Sequence, residues 1–150
     1  MSATNRYEVE HRLLAKAFSD RVFLLFLHGD AKAAVETFVA APIPGSVDVK
    51  LLVEDEVTLY ALLPYAGHSF MGNLSSPQEL APDSRGHFEY SINARISADP
   101  ALMEKFRTDP SGLIRSMAPL GAGVTVKIAE ESADTLYIII PYYGKSTYRV

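Results

Sequence analysis

Apolar positions along the chain change period twice, in the same order each time. Tyr7, Leu14 and Phe18 share one helical face, and Phe23 with Leu27 form the next after Asp20. Val35 and Phe38 follow Asp30 at the same kind of spacing. The pattern then alternates. Val47-x-Val49-x-Leu51 reads as a half-buried strand, Glu54-Asp55-Glu56 as an exposed acidic turn, and Thr58–Leu63 as a second strand ended by Pro64. The sequence from Phe88, Ile92 and Ile96 onward repeats the plan. Leu102, Met103 and Phe106 mark a helix, then Leu113, Ile114 and Met117 mark another, which Pro119 and Gly121 stop. Val124-x-Val126-x-Ile128, a turn from Glu131 to Asp134 and the strand Thr135–Ile140 complete it, with Pro141 closing. Each half predicts α-α-α-β-β, and the whole an α+β fold with its β-hairpins packed together and helices outside.

Residue identities support an internal duplication. Thr58-Leu59-Tyr60, Pro64-Tyr65 and Gly67 return 77 positions later as Thr135-Leu136-Tyr137, Pro141-Tyr142 and Gly144. The same spacing carries Lys50 and Glu54 onto Lys127 and Glu131. Upstream the spacing is 79, relating Glu10, Ala15, Asp20 and Asp30 to Glu89, Ala94, Asp99 and Asp109. Order and spacing are kept together, which chance does not arrange. The expected organisation over 1–150 is one pseudo-symmetric domain: repeat one over 8–67, a connecting loop over 68–86, repeat two over 87–144, and a tail over 145–150. A lone hairpin is marginal in water, so two units are expected to close over a shared interior.

Composition removes several functions. The chain has 150 residues, 48% of them hydrophobic and 21% charged, enough to build one core. A net charge of −4 gives no electrostatic support for nucleic acid binding. With no cysteine there is no disulfide, thiolate metal site or thiol nucleophile, and a reducing cytoplasm is the expected location. Met1 to Arg12 shows no secretory signal, and the apolar runs Val22–Leu27 and Ile138–Ile140 fall short of the roughly 20 residues a membrane helix needs.

Candidate chemistry is sparse. His11, His28, His68 and His87 show no ligand spacing, and His28-Gly29-Asp30 is explained by a helix junction. Glu54-Asp55-Glu56 lacks the alternating oxygen ligands of a calcium loop. Gly121-x-Gly123 lies between a helix and a strand, the reverse of a dinucleotide loop, and reads as a turn. No catalytic, cofactor-binding or metal-ligating residue is assigned, and no cofactor is expected. Tyr65, Tyr142, Tyr143 and Phe70 are candidate partner contacts, because interfaces favour large aromatic rings, although sealing the core edge is the plainer role for the tyrosines. Ser69 and Met71 adjoin Phe70, and Tyr60–Leu63 or Tyr137–Ile140 could accept an added strand if they lay at an edge.

One pattern has a wider resemblance. Ala98-Asp99-Pro100, Phe106, Asp109-Pro110, Val124-x-Val126 and Asp134-Thr135-Leu136-Tyr137-x-x-x-Pro141 together resemble the nitrile-hydratase-like leader peptide family. Its members lead bacterial ribosomal natural-product (bacteriocin-type) precursors and are related to the alpha subunit of nitrile hydratase. The resemblance implies a nitrile hydratase alpha-like fold and a non-catalytic recognition role, bound by peptide-modifying or exporting enzymes of a biosynthetic cluster. Family precursors carry one leader unit before a core peptide. Here two units precede only Lys145–Val150, whose Ser146 and Thr147 are modifiable. The enzyme subunit's cysteine-rich metal claw has no counterpart. Two alternatives are an enzyme subunit of nitrile hydratase descent without that claw, and a stand-alone interaction module, monomeric or homodimeric.

Overall fold

The helix boundaries follow from side chains that cap them. In order the elements are α1 (Arg6–Ser19), α2 (Arg21–Gly29), α3 (Ala31–Val39), β1 (Asp48–Val53), β2 (Thr58–Leu63), α4 (Arg85–Ser97), α5 (Pro100–Thr108), α6 (Pro110–Met117), β3 (Thr125–Glu130) and β4 (Thr135–Ile140). The computed structural model describes residues 4–82, 84–118 and 120–141. Asp20 ends α1 and starts α2, its Oδ1 accepting from the backbone of Val22 and Phe23 at 3.1 and 3.2 Å. Asp30, Asp99 and Asp109 start α3, α5 and α6 in the same way. Pro100 and Pro110 occupy the first turns of α5 and α6, where a missing N–H costs nothing. Each such cap contributes about 1 kcal/mol, and a one-residue joint forces the chain to turn sharply.

The strands depart from the expected hairpins. β1 pairs in parallel with β4, from Asp48 opposite Thr135 to Val53 opposite Ile140. β2 pairs in parallel with β3, from Thr58 opposite Thr125 to Leu63 opposite Glu130. Within a half, consecutive strands are joined by a tight turn and share no ladder beyond the isolated bridges Asp55–Thr58 and Ser132–Thr135. The reason lies in burial. β2 and β4 are apolar on both faces and need cover on both sides, as strands of parallel sheets do. A hairpin with its own polar-faced neighbour leaves one side wet. The intervening helices supply the long crossovers that parallel pairing requires.

Alternation then sorts the side chains into layers. Leu136, Ile138 and Ile140 of β4, with Val49 and Leu51 of β1, join the core under α1–α3, which includes Leu13, Phe23, Leu27 and Val35. Leu59, Ala61 and Leu63 of β2, with Val126 and Ile128 of β3, join the core under α4–α6, which includes Phe88, Ile96, Phe106 and Ile114. Leu62, Ala129 and Ile139 meet between the two sheets, flanked by Leu52, Tyr60 and Tyr137. The order is helices, sheet, sheet, helices, and the second strand of each half lies on the helices of the other.

The helix layers also touch directly through α1 and α4. Gly86, near the start of α4, makes that approach possible. A Cβ there would lie 3.2 Å from the Tyr7 carbonyl oxygen and 2.6 Å from Leu80 Cδ1. The connecting loop docks on the start of α1 through two backbone bonds, Arg6 N–H to the Asn73 carbonyl and Asn73 N–H to the Thr4 carbonyl, with Gly72 at φ 104.

Because each half completes the other's core, the two should fold only together. Segments 1–82 and 83–150 produced separately are expected to be unfolded or self-associated, and to form a folded one-to-one complex when mixed. Circular dichroism and light scattering read this. A segment that stays folded and monomeric alone would contradict the strand exchange.

Candidate functional site

The least ordinary chemistry lies buried where α1 and α4 meet the strand ends. Arg6, the first residue of α1, is 1% exposed. Its Nη1 and Nη2 donate to both oxygens of Glu131 at 2.7 and 2.6 Å, and its Nε donates to Glu10 Oε1 at 2.6 Å. Glu131 also accepts from the backbone N–H of Tyr137 and of Tyr65, each at 2.9 Å. Arg85, the first residue of α4, repeats the arrangement. Its Nη1 and Nη2 donate to Glu54, and its Nε to Glu89 Oε1 at 2.8 Å. Glu54 accepts from Tyr60 N–H at 2.7 Å. Both carboxylates of the bidentate pairs come from the opposite half. The expected exposed acidic turn is thereby corrected: Glu54 and Glu131 are buried, and only the residues after them face water. Their backbone neighbours explain why. The first residue past β1 or β3 still lies inside the layers, where a carboxylate needs a guanidinium and N–H donors.

Burial sets the electrostatics of this centre. Desolvation alone would pull the Arg6 guanidinium down, but Glu10 and Glu131 outweigh it and hold the group above its ordinary value. Burial pushes the Glu10 carboxyl up against the opposing pull of Arg6. Burial likewise pushes Glu89 up to about 8 despite Arg85. Tyr7 is raised by burial and by Glu89, and its hydroxyl lies 3.5 Å from Asn93 Nδ2. Its ring meets Tyr90 edge-on at 5.7 Å.

The residues singled out from sequence are dispersed. Tyr65 is partly exposed and edge-on to His68 at 5.0 Å. Phe70 is partly buried and packs against the first core, Met71 is fully buried, and Ser69 beside them is exposed. Tyr142, Tyr143 and the tail 145–150 lie outside the described residues. Tyr60–Leu63 and Tyr137–Ile140 do not lie centrally: each pairs along one edge only, with β3 and β1, while most of their side chains are buried. β1 and β3 carry exposed Lys50 and Lys127, which discourage pairing with another chain along those strands. His68 is buried, and its Nε2 donates to the Thr135 carbonyl at 2.9 Å, tying the connecting loop to β4. His28 is exposed in the last turn of α2. Among the described residues, no three His, Asp or Glu side chains converge as metal ligands, and no helix is long and apolar enough to cross a membrane. An open polar cavity of about 340 Å³ lies between Asn5, Glu8 and Arg12 of the α1 region and Ser75, Gln78 and Glu79 of the loop. Glu8 Oε2 already accepts there from the backbone of Gln78 and Glu79.

The buried ion pairs escaped the sequence reading, although a signal was present. Glu10 with Glu89 and Glu54 with Glu131 are acidic identities kept at matched positions. Arg6 and Arg85 are 79 positions apart but fall two residues ahead of the matched stretches. No family model matches the chain, and no curated protein matches it.

Removing one partner leaves a buried charge uncompensated. Arg6→Ala is expected to cost about 3–5 kcal/mol in urea unfolding, and Arg6→Met combined with Glu131→Leu should recover only part of that loss, because Glu10 loses its donor and the N–H groups of Tyr65 and Tyr137 lose their acceptor. A cost for Arg6→Ala below about 1 kcal/mol would mean that the pair is not buried as described.

Proposed function

We propose that the protein is a non-catalytic, leader-like recognition protein of a ribosomal peptide natural-product pathway, built from two copies of one α-α-α-β-β unit. Its partner on this reading is a peptide-modifying or exporting enzyme. The leader resemblance suggests the pathway, and the surface supports recognition. The single observation that carries the recognition role is an asymmetry between α2 and α5. These helices stand at the same place in the element order, 79 positions apart. On α2, Val22, Leu25 and Phe26 are 77, 64 and 37% exposed. The matching positions of α5 are Ala101, Glu104 and Lys105, also exposed.

The comparison separates the demands of the fold from those of the surface. Phe23 and Leu27 of α2 are buried, and so is Phe106 of α5, the match of Leu27. Inner positions stay apolar in both helices. Two of the three outer positions are charged in α5, so the fold does not require Leu25 or Phe26 to be apolar, although the Phe26 ring meets Phe23 edge-on at 6.3 Å. The same contrast recurs at Val53 and Val57, both exposed, against Glu130 and Asp134. Clustered exposed apolar side chains mark surfaces that something else covers. Arg21, on the same face of α2, gives the patch a cationic edge suited to an apolar partner segment with an acidic flank, while Lys16 beside it is paired with Asp20 at 3.3 Å.

Transplanting the α5 residues tests the surface without disturbing the core. Leu25→Glu with Phe26→Lys is expected to weaken capture of the co-expressed pathway enzyme by about tenfold or more, with little change in thermal midpoint. Undiminished capture would remove α2 from the reading. Mass spectrometry after co-expression tests the pathway itself. A mass change on Ser146 or Thr147 is expected if the tail is a core peptide, and no enzyme capture together with no mass change would end the leader proposal.

A further inference from the structure

We propose that Glu10 and Glu89 hold a shared proton across the seam between α1 and α4, and that losing it loosens the contact between the two halves. Three observations converge on this pair. The first is a charge imbalance. Glu10, Glu54, Glu89 and Glu131 face Arg6 and Arg85, so the centre holds four carboxylates against two guanidiniums. Both guanidiniums give their Nη forks to Glu131 and Glu54. Glu10 and Glu89 each accept from an Nε, at 2.6 and 2.8 Å.

The second is an unsatisfied atom. Glu89 Oε2 is buried and has no hydrogen-bond partner. A buried ionised oxygen without a donor is costly, whereas a protonated one can itself donate. The third is proximity. Glu10 and Glu89 line one cavity of about 10 Å³ together with Leu13, Leu14, Ile138 and Ile139. That volume is about where a single water begins to fit, so the walls offer the carboxyls little besides each other. The other titratable and charged groups facing the pair are Arg6 and Tyr7 from α1, Arg85 from α4, and Glu54 and Glu131 at the strand ends. Two carboxylates in one dry site cannot both ionise cheaply, and one proton between them removes the repulsion.

The direction of the pH effect follows. Burial raises Glu89 from the ordinary 4.5 to about 8. The folded protein therefore keeps a proton that the unfolded chain releases. This contribution is complete below the unfolded value and is lost as pH rises through the folded one. Since the pair spans α1 and α4, the loss falls on the seam that brings the halves together.

Infrared titration of the intact protein reads the proton directly. A protonated-carboxyl absorption is expected at about pH 6, fading as pH passes about 8. Glu89→Gln and Glu10→Gln should each abolish or shift it. One proton linked to folding makes the unfolding constant rise by up to about tenfold per pH unit between about pH 5 and pH 8, and Glu89→Gln should flatten that slope. Absence of the absorption in the wild type at about pH 6 would overturn the proposal without reference to any variant. So would an absorption that neither substitution alters. Neither result depends on the pathway partner.

Discussion

The strand exchange between the halves, locked by the bidentate pairs Arg6–Glu131 and Arg85–Glu54, is the constraint from which the remaining architecture follows. Each arginine opens the first helix of its half, and each glutamate stands at the turn before the last strand of the other. The pair fixes which strand lies on which helices. Once β4 lies on α1–α3, its second face must be covered, and β2 with β3 provides that cover through Leu62, Ala129 and Ile139. Neither half owns a closed core. The same economy makes the seam between α1 and α4 a place where buried charge collects, because both arginines and their secondary carboxylates, Glu10 and Glu89, start there.

Local chemistry was legible in the chain, and long-range partnership was not. Asp20, Asp30, Asp99 and Asp109 cap helices because an aspartate before an apolar period accepts from free N–H groups wherever it sits. Gly123 turns with φ 81, as a Gly-x-Gly between helix and strand suggests. Thr58–Leu63 and Thr135–Ile140 carry apolar residues on both faces, in keeping with the cover they receive on both sides. Period two, however, reports a strand without its neighbour. Four intervening residues, Glu54 to Val57, suit a hairpin as well as a sharp corner between two layers. The choice was made by burial elsewhere in the molecule. Glu54 misled for a related reason: an acidic run looks solvated until its first member meets a guanidinium 31 positions away.

The two halves also show which features the fold needs and which it only tolerates. Caps, inner helix positions and the charged centre recur in both. Outer positions of α2 and α5 do not, and neither do Val53 and Val57 against Glu130 and Asp134. The positions beneath stay apolar in both helices, so the change from apolar to charged character is a property of the solvent-facing side.

Why buried charge holds the halves together, where apolar side chains of similar volume would be as stabilising, follows from the likeness of the strands. β2 and β4 both begin Thr-Leu-Tyr and continue apolar to their ends. Hydrophobic burial is non-directional and treats them nearly alike, so it does not by itself decide between a hairpin and an exchange. A guanidinium fork is selective. It satisfies two oxygens in one plane, and the carboxylate it binds here also accepts backbone N–H groups of the strand that follows, Tyr137 for Glu131 and Tyr60 for Glu54. Each arginine therefore reads the start of one particular strand at one register. A hairpin arrangement would move those glutamates away from the arginines of the opposite half and strand all four groups, which makes the misassembled alternative costly even where its apolar contacts are adequate.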